Sequence, residues 1–450
     1  MFKRVPFILL FVALYLFRTL FGLSLDFFSD LEVGQDSLQN YLIGLKCYTT
    51  GTWPYYGPDQ YLLNTGFHSQ LPGALQGLVV AFPLYLLPIP EAPFLFLNLL
   101  SLSALALLAW YITQRLPKLP FVFVFTWISL LPWTLNQATH VYNPCYLLFG
   151  SVLFFVGFLE ALPGISLGKV PIRLAYALMG FGTCWDMQFH NSWVLFPPLV
   201  ATAFVWRRMK KGNAWASEVL GFMGGALPPF ACLLPTVLQA GLAHGSEGLR
   251  ETLLWFNGEN FKNGFTILAR YFSFPCFEMP RFIGGSTGER MAYLKAAPWL
   301  YVPYFFLLIL GWLQPFFLLL YGWWKKPELL KDPKSNDFKK LQWLFFASFF
   351  WIWAIFWFTT TGPSSHMYLV FLPLAVVYYF YVWNYMTGNR TAWRRFAALV
   401  LAFNLWFQAG FIVSQLMHGR GVYSNRQVID RAIQEKNYRI LGERRSWSYY

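Results

Sequence analysis

The acidic and imidazole side chains of this 450-residue chain lie mainly between long apolar segments or at their ends. Carboxylates and imidazoles are the usual general bases of enzymes, and both also bind metal ions. Their grouping predicts one chemical site built from the loops that join the apolar segments. The residues are Asp26, Asp30, Glu32, Asp36 and Asp59 in the first polar loop, with His68, His140, His190, His244, His366 and His418.

Asp36 begins a segment whose apolar residues recur at the spacing of one helix face. The pattern predicts an interfacial helix over 36–50 that lies on the outer membrane surface and stops at Gly51. The helix dipole keeps a carboxylate at a helix N-terminus ionised, so Asp36 is a candidate general base or metal ligand. The alternative is an N-cap worth about 1 kcal/mol, which the spacing alone favours.

Asp186 and His190 lie one helical turn apart at the end of an apolar segment, which predicts neighbouring side chains. They are either a site acid with its imidazole or an interfacial pair that ends the helix. His140 and His366 end other apolar segments at the same depth. No histidine spacing is typical of a metal site, so metal ligands stay unknown. No cofactor is certain, and a divalent cation bound by Asp36 is an alternative.

The composition predicts an all-α polytopic membrane protein. Hydrophobic residues make up 57% of the chain and charged residues 12%, about half the usual charge of a soluble domain. Apolar runs of helix-spanning length argue against a β-barrel, whose strands alternate over about 10 residues. The net charge of +14 is explained by basic turns at the membrane rather than by nucleic acid. The five cysteines are scattered and predict neither a disulfide framework nor a zinc site.

About 11 transmembrane helices are predicted from apolar length. They cover 5–25, 93–113, 119–138, 143–161, 172–188, 191–206, 214–240, 297–322, 341–361, 366–385 and 395–414. The proline-rich segment 72–88 is predicted to be re-entrant or interfacial, because a span there would move every later basic turn to the outside. The same rule predicts a cytoplasmic N-terminus and an external C-terminus. Residues 1–414 then form the transmembrane domain, with outer loops 26–71 and 241–296, and 415–450 form a short external tail with a helix.

The layout of the first outer loop resembles the C-type (GT-C) membrane glycosyltransferases that use polyprenyl-phosphate sugars. Protein O-mannosyltransferases and the lipid A aminoarabinose transferase belong to this class. In such enzymes an acidic motif, an amphipathic helix and a Pro-containing juxtamembrane helix follow one another. Here these are Asp36, the Gly-Thr-Trp-Pro helix end at 51–54 and Leu-Pro-Gly-Ala at 71–74. The segments at 185–190 and 364–375 are also similar. Ser37 and Asn143 stand where many members carry an acid.

The resemblance implies a transferase that moves a hexosyl or pentosyl group, with inversion, from a lipid-phosphate donor to an acceptor. The partners would be the donor, a lipid, glycan or protein acceptor, and the membrane, with no nucleic acid. The acceptor hydroxyl needs a base, and Asp36, Asp186 and His190 are the catalytic candidates. The leaving phosphate needs cationic donors, for which arginine is well suited. The substrate-binding candidates are Glu32, Trp53, Tyr55, His140, Asn143, Arg270, Arg281, Arg290 and His366.

Two other functions are compatible with the same composition. One is a multi-span transporter or flippase of lipid-linked sugars, although no internal repeat is visible and the long acidic first loop does not fit it. The other is an envelope polysaccharide ligase or polymerase, which would depend on later loops rather than on Asp36. Either way, the resemblance places the expected site at the outer face of a bacterial inner membrane.

Overall fold

The computed structural model describes residues 6–24, 36–61, 68–136, 141–211, 215–240, 256–277, 283, 286–324, 335–359, 362–387, 391–417 and 422–441. Within these ranges it contains seventeen α-helices and one two-stranded sheet. The helices are α1 (Phe7–Ser24), α2 (Asp36–Thr50), α3 (Leu75–Leu86), α4 (Ala92–Arg115), α5 (Phe121–Ser129), α6 (Pro132–Asn136), α7 (Leu147–Ala161), α8 (Ile172–Met187), α9 (Pro197–Lys211), α10 (Ala216–Ala240), α11 (Gly264–Ser273), α12 (Thr287–Ala296), α13 (Tyr301–Trp324), α14 (Ser335–Phe356), α15 (Leu372–Thr387), α16 (Thr391–Met417) and α17 (Val422–Gln434). The strands β1 (Tyr56–Tyr61) and β2 (His68–Pro72) pair antiparallel.

Seven helical segments of the described chain are long and apolar enough to cross a bilayer. They are Phe7–Ser24, Ala92–Arg115, Asn143–Ala161, Ala216–Gln239, Pro298–Phe317, Ser365–Asn384 and Arg394–Met417. The predicted all-α polytopic membrane protein is therefore confirmed, whereas the count of 11 spans stays a prediction. The segment 119–138 is broken into two helices, α8 and α9 have 16 and 15 residues, and α14 begins with a charged turn.

The break between α5 and α6 is stabilised by a buried arginine from α1. Pro132 begins α6, and a proline has no N–H to continue the helical hydrogen bonding of the preceding turn. The fully buried Arg18 donates to the carbonyls of Ser129 at 2.5 Å and Thr134 at 3.2 Å. A broken helix is stable at membrane depth where side chains satisfy the freed backbone groups. Arg18 therefore has a structural role that explains a charge within the first span.

Two amides of α16 complete this arrangement. Asn404 and Gln408 donate to the carbonyl oxygen of Leu130 at 3.0 and 2.8 Å. Gln408 is fully buried, and its Oε1 has no hydrogen-bond partner among the described residues. The last long helix thus supports the irregular backbone that follows α5.

Helices α7, α8 and α10 approach each other closely through glycines. A Cβ on Gly225 of α10 would lie 1.9 Å from the carbonyl oxygen of Ala177 in α8. A Cβ on Gly182 of α8 would lie 2.4 Å from the carbonyl oxygen of Gly150 in α7. Small residues are enriched at membrane helix interfaces because they allow such backbone contact. These three helices pack closely behind the residues at the C-terminal end of α8.

The helix α2 has its apolar face buried against protein, whereas the spacing had suggested a helix resting on the membrane. Leu38, Tyr41, Leu42 and Leu45 are all buried, and α2 packs along α3. At 12 residues, α3 is shorter than the roughly 20 residues that a span requires. The β1–β2 hairpin between α2 and α3 is not indicated by the sequence pattern. It covers the start of α3 and turns the first loop back onto the helix bundle.

The C-terminal helix α17 is bound to the same region. Arg426 of α17 forms a two-point ion pair with Glu91, with Nε to Oε1 at 2.5 Å and Nη2 to Oε2 at 3.1 Å. The hydroxyl of Tyr41 in α2 donates to the carbonyl oxygen of the neighbouring Pro90. The turn between α3 and α4 is therefore held by α2 and by α17 together.

A fully buried ion pair joins α4 to the last turn of α7. Arg115 Nη2 lies 3.5 Å from Glu160 Oε1, and both side chains are fully buried. Glu160 also accepts hydrogen bonds from the Tyr111 hydroxyl at 2.8 Å and from the backbone N–H groups of Leu167 and Lys169 at 3.0 and 3.1 Å. The carboxylate therefore organises the 162–170 loop as well as neutralising Arg115.

Candidate functional site

Helices α2 and α3 contact the turn before α7 and the residue after α8, respectively. Helix α2 begins at Asp36 and contacts the 3-10 turn Asn143–Tyr146, which leads into α7. Gln76 of α3 is bonded to the residue that follows α8. Asp36 thus begins the element that contacts the turn of Asn143, and the Asp36 side chain itself is outside the described part of the chain. The candidates Glu32, His140 and Arg281 lie outside the described residues.

Asp186 is in the last turn of α8, and its carboxyl group faces α7. Ser151 Oγ donates to Asp186 Oδ2 at 3.0 Å, and the side chain is fully buried. The other oxygen, Oδ1, has no hydrogen-bond partner within the described ranges. Gly150 lies against this oxygen, since a Cβ there would be 2.1 Å from Oδ1. The absence of a side chain at Gly150 makes the room in which the carboxyl group sits.

The side chains of Asp186 and His190 contact different partners, although the two residues are one turn apart. The backbone N–H of Ser192 donates to His190 Nδ1 at 3.1 Å. Because Nδ1 accepts this bond, the proton of the neutral imidazole is on Nε2. The rings of His190 and His366 are perpendicular, with centroids 5.5 Å apart. Burial, with His366 as a second cause, lowers the pKa of His190 from its ordinary value.

The turn before α7 brings two further polar groups to the end of α8. Asn143 is buried, and its Oδ1 has no hydrogen-bond partner in the described structure. The same is true of the Tyr146 hydroxyl. Trp185 Nε1 donates to the carbonyl oxygen of Tyr146 at 3.0 Å, and the Tyr146 ring stacks on Phe189 with centroids 5.0 Å apart. Asn143, a predicted substrate-binding residue, thus begins the turn whose last residue contacts Trp185 and Phe189.

Two buried glutamines complete this end of the bundle, and sequence reasoning did not select them. Gln76 Nε2 donates to the backbone carbonyl of Gln188 at 2.7 Å. Gln188 Nε2 donates to the carbonyl of Pro229 in α10 at 2.6 Å. The Oε1 atoms of both glutamines have no hydrogen-bond partner among the residues described. The available signal was weak: each is an amide within or just after an otherwise apolar segment.

The aromatic segment after α2 packs against the hairpin and α10. The carbonyl of Tyr55 accepts from Thr236 Oγ1 at 2.7 Å and from the N–H of Gly73 at 2.9 Å. Trp53 is half-buried, and its Nε1 has no hydrogen-bond partner in the part of the chain that is described. Tyr55 therefore contributes its backbone to the fold of the first loop, and Trp53 has an available donor.

The basic candidates lie on later elements. Arg270 is on α11, which packs against α13 and α14, and Arg290 is on α12, where it hydrogen-bonds Tyr304. Lys262 is exposed and forms an ion pair with Glu259 at 3.6 Å. Among the described residues, no group of three or more His, Cys, Asp or Glu side chains is arranged to hold a metal ion.

No protein-family model and no curated protein matches this sequence. Among solved structures, the chain is similar to the crystal structure of ArnT from Cupriavidus metallidurans bound to undecaprenyl phosphate. The two share 13% sequence identity with a TM-score of 0.49, and the match covers 96% of this chain and 76% of that chain. At this level the likeness concerns the course of the chain only. The roles proposed below rest on this chain's own residues.

Proposed function

We propose that this integral membrane protein is a glycosyltransferase that moves a sugar from a polyprenyl-phosphate carrier to an acceptor hydroxyl at the outer face of a bacterial inner membrane. One observation carries the proposal. The helix that begins at Asp36 contacts the buried turn Asn143–Tyr146, which leads into α7. A carboxylate at a helix N-terminus stays ionised and can accept the proton of a hydroxyl group, which the transfer of a sugar to a hydroxyl acceptor requires.

In the proposed reaction, Asp36 accepts the proton of the acceptor hydroxyl as its oxygen attacks the anomeric carbon. The bond between that carbon and the phosphate oxygen breaks, and polyprenyl phosphate leaves with the electron pair. Attack from the face opposite the leaving group inverts the anomeric centre. Arg270, Arg281 and Arg290 are the proposed donors to the phosphate, because a guanidinium can bind two phosphate oxygens.

His190 has a different role in this proposal. Its lowered pKa keeps the imidazole neutral, so it offers an Nε2–H donor and no positive charge to the leaving phosphate. With His366 beside it, it suits hydrogen bonding to a sugar or acceptor. Asp186 is directed toward Ser151 rather than toward His190, so we assign the base to Asp36.

The test compares wild type with Asp36→Asn, reconstituted with a panel of polyprenyl-phosphate sugars and candidate acceptors. Release of polyprenyl phosphate and thermal stability are measured on the same samples. Asparagine caps a helix about as well as aspartate but cannot take a proton, so we expect turnover to fall about 10²–10⁴-fold at unchanged stability. Asp337→Asn is the matched control, since Asp337 lies in the first turn of α14.

Retention of turnover by Asp36→Asn would remove Asp36 as the base. Absence of turnover by wild type across the panel, with transport of a lipid-linked sugar instead, would replace the transferase by a flippase. Chelation with EDTA separates the two roles of Asp36. If Asp36 is a metal ligand, EDTA should abolish turnover and added Mg²⁺ or Mn²⁺ should restore it. If Asp36 is a general base without a metal, EDTA should leave turnover unchanged.

A further inference from the structure

The C-terminal helix α17 and the turn that follows it pack on α2, the helix of the first loop. Ile429 and Ile433 of α17 are buried, and α17 contacts α2. Lys436 has φ +47° and turns the chain back, so that the 3-10 turn Tyr438–Leu441 also contacts α2. The C-terminal end of the described chain therefore lies against the helix that begins at Asp36.

One arginine joins α17 to the turn between α3 and α4. Arg426 Nε lies 2.5 Å from Glu91 Oε1, and Arg426 Nη2 lies 3.1 Å from Glu91 Oε2. Two parallel bonds of this kind fix the direction of both side chains as well as their distance. The pair is partly exposed, and such pairs contribute little to the stability of a whole protein. Its effect is therefore to fix where α17 and the turn lie.

The same turn is bonded to α2 through Tyr41. The Tyr41 hydroxyl donates to the carbonyl oxygen of Pro90, the residue before Glu91. Pro88 and Pro90 each fix a φ angle of the turn, which makes it stiff. Burial, with the nearby Tyr146 and Glu91 as further causes, raises the pKa of Tyr41. The hydroxyl therefore stays protonated and keeps donating to the turn over the neutral pH range.

The two halves of α2 have different hydrogen-bond partners. Tyr41 is five residues after Asp36 and ties the first half to the turn between α3 and α4. The second half is tied to α3, because the Tyr85 hydroxyl donates to the carbonyl oxygen of Cys47 at 3.2 Å. Loosening the turn should therefore release the start of α2 and leave its end in place.

We propose that Arg426 and Glu91 are positioning residues, which act through Tyr41 to fix the start of α2 and with it Asp36. This inference rests on the proposed function, in which Asp36 accepts the proton of the acceptor hydroxyl. A general base must lie within hydrogen-bond reach of its proton, and a displacement of about 1 Å can slow a reaction by about a hundred-fold. The ion pair takes no proton itself and acts only through the place of α2.

The first measurement is steady-state turnover of the reconstituted full chain with polyprenyl phosphates bearing mannose, glucose or aminoarabinose. Arg426→Met and Glu91→Gln each break the ion pair. We expect kcat to fall about 10–100-fold while KM for the donor changes less than about two-fold, because only the placement of the base is altered. The double variant should lose no more than either single one, since both changes break the same pair. The midpoint of the kcat–pH profile should not move, because Asp36 is still present.

The second measurement needs no turnover. It follows hydrogen exchange of the α2 backbone amides in the full chain in detergent. We expect protection in the first half of α2 to fall about 2–10-fold in Arg426→Met, the effect of losing one partly exposed ion pair. Protection in the second half, held by Tyr85, should stay at the wild-type value. Tyr41→Phe removes only the hydroxyl and should give the same pattern.

Arg207→Met is the matched control. Arg207 Nε lies 3.2 Å from Glu218 Oε1, so this pair has the same chemistry and is also partly exposed, but it joins α9 to α10. We expect Arg207→Met to leave kcat and the exchange of α2 at wild-type values, whatever it does to thermal stability.

A lower kcat together with faster exchange confined to the start of α2 supports the proposal. An unchanged kcat in Arg426→Met overturns it, and so does exchange that rises equally along the whole of α2. Turnover kept by Asp36→Asn, with the expected exchange pattern, would remove Asp36 as the base and leave α17 as the element that positions α2. Absence of turnover in wild type with that same pattern would count against the transferase alone.

Discussion

Removing the Glu160 carboxylate tests the buried ion pair between α4 and α7. In Glu160→Ala, Arg115 stays charged and fully buried without its partner. Breaking a buried pair in this way costs about 3–5 kcal/mol. The N–H groups of Leu167 and Lys169, bonded at 3.0 and 3.1 Å, also lose their acceptor. We therefore expect the folding equilibrium constant to fall between about a hundred-fold and a few thousand-fold.

The assay is reversible unfolding in mixed micelles by titration with a denaturing detergent. Glu259→Ala is the matched control, since Glu259 pairs with Lys262 at 3.6 Å on the exposed surface, where such pairs contribute little. The double variant Arg115→Met, Glu160→Met should be more stable than Glu160→Ala, because apolar residues can replace a buried pair at little loss. A Glu160→Ala loss below about 1 kcal/mol, or a double variant less stable than the single one, would refute the reasoning.

Two further predictions concern the end of α8. Gly150→Ala places a methyl group 2.1 Å from Asp186 Oδ1, so we expect the free energy of unfolding to fall by about 1–3 kcal/mol in the same assay. Adding Asp186→Ala should recover much of that free energy. If it recovers none, Asp186 is not the group that clashes with the methyl. His190 has a lowered pKa when folded, so the unfolded chain binds more protons at mildly acidic pH. The free energy of unfolding should then fall as the pH drops below about 6.5. His190→Gln should reduce the slope of unfolding free energy against pH by up to about 1.4 kcal/mol per pH unit. An unchanged slope would contradict a lowered pKa at His190.

The sequence determined the class of protein and the positions of its long helices. Charge is scarce and apolar runs are long, and a helix satisfies its backbone within the run, so the spans at 93–113 and 395–414 correspond to α4 and α16. Helix α2 likewise follows from local spacing, which places Asp36 at its start. Spacing does not say what covers an apolar face, and the fold covers that of α2 with α3.

Only the tertiary structure decided which polar groups meet. Gln76 and Gln188 are 112 residues apart, and the pairing of Asp186 with Ser151 rather than His190 depends on how closely α7 and α8 approach at Gly150. The break after α5 depends on Arg18, Asn404 and Gln408, which come from the first and last long helices. Helical periodicity is a local property of the chain and can be seen in the sequence. These contacts depend instead on how helices distant in the sequence pack together, which the spacing of residues along the chain does not determine.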